Sequence, residues 1–94
     1  MFEAIATRRC LEATYNGGRV VLAPHVAFVR HGSLYAGAVT IARDGVPPRE
    51  EKLGIFKLDG LVDLTLSERI FARSPVFDPR DARFAETTLI AAEA

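Results

Sequence analysis

The sequence predicts a mainly β domain, an antiparallel meander or small five-stranded barrel with a short N-terminal helix and a C-terminal extension. Turn dipeptides recur as Asn16-Gly17, His31-Gly32, Asp44-Gly45 and Asp59-Gly60, spaced 13 to 15 residues apart. Each can supply the positive φ angles that tight reversals need. Between them lie short segments rich in Val, Ile, Leu, Phe and Tyr, and no stretch alternates strands with helices as an α/β fold would.

Phe2, Ile5 and Ala6 have helical spacing, so residues 2 to about 9 form a short helix covering one open end of the core. A first strand follows and ends near Tyr15. Residues 19–30 are the most informative strand. Val20, Leu22, Val26 and Phe28 form its bulky set, and Arg19, Ala23, His25 and Ala27 the opposite one, so one face packs and the other is free to bind. Pro24 removes a ladder N–H and marks an edge, a bulge or a bend. Residues 34–42 form the next strand, in which Ala36, Gly37 and Ala38 allow a backbone or ligand to come close. A loop over 44–48 leads to a fourth strand at 51–58. A fifth covers 61–66, where Val62, Leu64 and Leu66 alternate with Asp63 and Thr65. The barrel core thus spans about 11–66. In the extension, 67–94, Phe71, Phe77 and Phe84 stand as isolated anchors, and 81–93 reads equally as helix or strand.

A length of 94 residues is that of one domain, and 49% hydrophobic with 26% charged residues is globular composition. Twelve basic residues balance twelve acidic ones, which excludes a protein that grips duplex DNA by counterion release alone. The charge is unevenly placed. Residues 1–58 hold eight Lys or Arg against five Asp or Glu, and residues 59–94 four against seven, so an anion-binding surface belongs in the first part. Cys10 is the single cysteine, which rules out an intrachain disulfide and a Cys-rich zinc site. No apolar run approaches the ~18 residues of a membrane span. A cytoplasmic protein without membrane contact is expected.

Arg19 and His25 share one side of their strand and can together hold phosphate oxygens, the Arg bidentately; a solvated hairpin arginine is the plainer alternative. Tyr15 and Tyr35 can stack on a base beside such cations, or simply pack in the core. The spacing of His25 and His31 matches no metal motif. No serine stands in a nucleophile-elbow frame, no Gly-rich loop suits a nucleotide triphosphate, and no acid, base and nucleophile come together, so neither a cofactor nor an enzyme is expected.

Taken in order, Ala4-Ile5, Tyr15, the run from Arg19 to His25, Gly32-Ser33-Leu34-Tyr35-Ala36 and Phe56-Lys57-Leu58-Asp59 resemble the WYL domain, across roughly residues 2–71. Its naming triplet stands here as Leu34-Tyr35-Ala36, and Gly60 occupies a position where many members carry Arg. The resemblance implies an SH3-like, Sm-like small β-barrel of the kind found in bacterial transcription regulators and phage-defence proteins. It also makes Lys57 a further anion contact, although an ordinary exposed strand lysine fits the same position.

The expected function is therefore a regulatory module, with Tyr15, Arg19, His25, Tyr35 and Lys57 lining one shallow face. That face would bind a nucleotide or short single-stranded nucleic acid. The alternative is a protein interaction or dimerisation module that has lost its ligand. Its working surface would be an exposed strand edge or the tail around Phe71, Phe77 and Phe84, facing a second copy or a partner regulator.

Overall fold

The computed structural model describes residues 1–93. Helix α1 (Phe2–Thr7) precedes strands β1 (Arg9–Tyr15), β2 (Gly18–Arg30), β3 (Ser33–Arg43), β4 (Leu53–Lys57) and β5 (Val62–Ile70), and β6 (Thr88–Ala91) ends the fold. All pairings are antiparallel. The sheet runs β4-β3-β2-β1-β5, with β6 added to β2. The mainly β class is as expected, but the five strands do not close. Among the described residues no pairing joins β4 to β5, so the sheet is open and carries a sixth strand drawn from the extension.

Three of the four turn dipeptides are two-residue hairpin turns with positive φ at both centres: Asn16 48° and Gly17 77°, His31 50° and Gly32 74°, Asp44 49° and Gly45 80°. That pair of angles matches the right-handed strand twist, so the first two turns set the register of the hairpins they close, whereas Asp44-Gly45 closes only the isolated bridge of Arg43 with Val46. Tyr15 thus meets Gly18, and Phe28 meets Tyr35. Asp59-Gly60 behaves differently. It lies in a 3-10 turn, Leu58–Gly60, that passes the chain from β4 to β5.

The bulky set expected on one face of β2 is divided between two. Val20 and Leu22 pack with Ala13, Ala38, Phe56 and Leu61, whereas Val26 and Phe28 pack with Phe77 and Phe84. The cause is a bulge. Pro24 pairs with Ala38 and Val26 with Gly37, leaving His25 as the extra residue; one inserted residue transfers every later side chain to the opposite face. The small residues of β3 serve this crossing. A Cβ on Gly37 would stand 2.6 Å from Val26 Cγ1, so the close approach expected there is made by a side chain of the neighbouring strand.

The extension belongs to the core. Phe77 and Phe84 are buried against Val26 and Phe28, with Tyr35, Leu53 and Ile55 at the margin. After a 3-10 turn at Ala85–Thr87 the chain forms β6, pairing with β2 across Val26, Ala27 and Phe28. Of the ambiguous stretch 81–93 only Thr88–Ala91 is strand, with Phe84 and Glu86 in the turns before it; β2 is longer than β1 and leaves an edge for these four residues to pair. Ala92 then joins Ala27 and Ile5, which anchors α1. That helix is shorter than expected, ending where Arg8 takes a left-handed conformation with φ 55°.

Candidate functional site

The five expected site residues do not share one face. Arg19 is exposed near the β1–β2 turn, its guanidinium 3.2 Å from Thr14 Oγ1 and 4.0 Å from Glu12 Oε1. Asp44 accepts its backbone N–H at 3.0 Å. Tyr15 packs edge-on against Phe56, ring centroids 5.1 Å apart, at the margin of the Val20–Leu22 cluster. Tyr15 is half-buried there and makes the packing contact that was one of its two expected roles.

His25 is fully buried, which removes it from any exposed face. Its bulge turns it beneath the extension, where its ring lies 4.9 Å from that of Phe71 and 5.4 Å from that of Phe77. Nε2 accepts the backbone N–H of Ser74 at 2.9 Å. Because an amide nitrogen can only donate, the ring proton sits on Nδ1 and is donated to the Ala23 carbonyl at 2.8 Å. Ser74 Oγ donates in turn to Glu51 at 2.5 Å. Burial holds the His25 pKa below the ordinary histidine value, against the Ala23 hydrogen bond; Arg73 lowers it further and Glu51 opposes. His25 is a clasp between β2 and the extension.

Tyr35 and Lys57 do come together, as cross-strand neighbours on β3 and β4. Tyr35 also stacks on Phe28, its opposite on β2, at 5.7 Å with planes 17° apart. Over this pair lies Arg30, with its guanidinium carbon 5.5 Å from the Phe28 centroid and 5.7 Å from that of Tyr35. The cation holds its place by donating to the Arg83 carbonyl at 2.7 Å. Its positive charge over two aromatic faces is favourable by about 0.5–1 kcal/mol in a partly exposed setting. Arg30 was not among the expected residues, yet the signal was present. A two-residue His31-Gly32 turn sets Phe28 opposite Tyr35, and Arg30 follows Phe28 by the strand period of two.

Beside Arg30 runs an open groove of about 350 Å³, between the end of β2 and the extension, lined by Val29, Arg30, His31, Arg83, Phe84 and Glu86 among others. Arg83 is already engaged by Asp81 at 2.8 Å, and that contact holds the Asp81 carboxyl below the usual range. Arg30 and Lys57 are therefore the cations left without an acidic partner around Tyr35, as neither forms an ion pair among the described residues. Arg19 stands eleven residues before Arg30 along β2, about 36 Å of strand at ~3.3 Å per residue. It belongs to another part of the surface.

Cys10 is fully buried, and burial pushes its thiol pKa up against the opposing effect of Arg69. A thiol so placed is a core side chain. No helix among the described residues is long and apolar enough to cross a membrane. No family model matches the chain, and neither does a curated protein or a solved structure.

Proposed function

We propose that the chain is a non-enzymatic regulatory module that binds a nucleotide or short single-stranded nucleic acid at the patch formed by Arg30, Tyr35 and Lys57. The observation that supports this reading is the Arg30 guanidinium held over the stacked Phe28 and Tyr35 rings, with Lys57 across the strand. Aromatic surface beside fixed cations suits a base next to its phosphate, and it is tolerant of sequence. The expected constellation of five is thereby reduced to Tyr35 and Lys57, with Arg30 added. The WYL resemblance points the same way, toward a small β ligand sensor in transcription regulation or phage defence.

With two free cations the electrostatic contribution is modest. At ~0.7 per neutralised phosphate the logarithm of affinity should fall with that of salt at a slope of about −1.4. The test is titration of the full chain with a fluorescent short single-stranded oligonucleotide at two salt concentrations, with mononucleotides and duplex as competitors. Arg30→Ala and Lys57→Glu should each weaken binding while Arg19→Ala leaves it unchanged. Binding that survives both substitutions, or none by any nucleic acid or nucleotide, would remove the patch as a ligand site.

A further inference from the structure

β5 is the outermost strand on one side of the sheet and pairs only with β1. Eight of its nine residues are exposed and Ser67 is intermediate. Among them Val62 is 54% accessible, Leu64 and Leu66 36% each, and Ile70 73%. A nine-residue edge with open backbone groups and an apolar row is a template for another strand unless something guards it.

Its sequence is complementary to itself. An antiparallel pairing of two copies about a two-fold axis through Leu66 sets Leu66 against Leu66, Thr65 against Ser67, Asp63 against Arg69 and Val62 against Ile70. The register meets the symmetry requirement that a residue pair with one of the same face. Leu64 against Glu68 is the one mismatch. Asp63 and Arg69 have no ion-pair partner among the described residues, so the pairing would supply one to each, twice by symmetry. Asp63 has φ 52°, and β5 is bulged against β1 toward both ends. Pairing with β1 is continuous at Thr65 and Leu66, and the bulges fall between Val62 and Thr65 and between Leu66 and Ile70, so the two charge pairs stand at the bulged ends on either side of the central Leu66 pair. Beyond one end, a groove of about 470 Å³ lined by Thr7, Arg8, Ile70, Phe71 and Ala72 lies where the Val62 end of the second copy arrives.

We infer that β5 is a homodimerisation edge, on which a second copy of this chain adds its own β5 antiparallel and in the Asp63-to-Arg69 register. Bulges at both ends confine the pairing to one closed dimer instead of an extending sheet. A contact of this length is small beside a standard interface, so the dimer should be weak, with a dissociation constant in the micromolar range or above. This inference is independent of the Arg30–Tyr35 patch, which lies on other strands.

The experiment is sedimentation equilibrium on the full chain up to about 1 mM, a range that covers weak association, with circular dichroism to verify folding of each variant. The wild type should show a monomer–dimer equilibrium. Asp63→Arg and Arg69→Asp each turn two attractive cross-strand pairs into repulsive ones, and each alone should raise the dissociation constant about tenfold. An equimolar mixture of the two variants should recover the wild-type affinity, because each chain then offers the charge that the other lacks. Leu66→Lys, which sets two lysines against each other on the axis, should leave a folded monomer. A wild type that stays monomeric throughout, assembles into species larger than a dimer, or dimerises with no response to the charge reversals would overturn the inference.

Discussion

His25→Phe tests the clasp between β2 and the extension. A phenyl ring keeps the contacts with Phe71 and Phe77 but cannot accept the Ser74 N–H or donate to Ala23. Leaving a buried backbone group unpaired costs about 1–3 kcal/mol. With two groups affected the loss should be about 2–6 kcal/mol, or roughly 10–30 °C in melting temperature for a chain of this size. The pH dependence isolates the histidine. Its pKa is lowered in the folded state, so the unfolded chain takes up a proton first as pH falls below the unfolded value of ~6.5. Stability is therefore full above that pH. It declines by up to about 1.4 kcal/mol per unit as pH falls from there to the folded pKa. Arg73 and Glu51 bear on His25 with opposite signs. Asp78 and Asp81 are held below the ordinary carboxylate range by Arg80 and Arg83 and titrate in more acid solution. Urea denaturation of wild type and His25→Phe at half-unit steps from pH 7.5 to 5.0 should give a falling line for the former and a flatter one for the latter. Parallel lines, or a wild type indifferent to acid, would refute the clasp.

Two further outcomes follow from packing. Gly37→Ala places a methyl 2.6 Å from Val26 Cγ1, and such overpacking should cost about 1–3 kcal/mol in denaturant. Phe84→Ala empties a site at 1% exposure between Phe28 and Phe77 and should cost about 3–5 kcal/mol; truncation after Leu66, which removes Phe77, Phe84 and β6 together, should leave no cooperative thermal transition.

The place of the extension shows why part of the site was hidden. Phe71, Phe77 and Phe84 carry no periodicity of their own, since each is held by a different neighbour: Phe71 beside His25, Phe77 and Phe84 in the Val26–Phe28 cluster. They therefore read equally as association anchors or core. The structure corrects the former reading, because Phe77 and Phe84 are buried within their own chain. The exposed strand edge, the other surface considered for association, is left to β5.

Local physics made the hairpins readable. Asn16-Gly17 and His31-Gly32 need no distant contact to take positive φ at both centres, so the β1–β2 and β2–β3 hairpins and the Phe28–Tyr35 pairing beside the second turn follow from the sequence by itself; the places of β5 and β6 do not. Local rules also allowed for a bulge near Pro24, but not for its consequence. Whether one residue is inserted depends on what the neighbouring strand offers across the sheet, and only tertiary packing against Gly37, Ala38 and the extension decided it. That single insertion placed His25 in the interior, divided the apolar set of β2 between two clusters and brought Phe28 and Arg30 to the face of Tyr35. Side-chain direction alternates with period two, so an extra residue that costs little locally reverses everything after it.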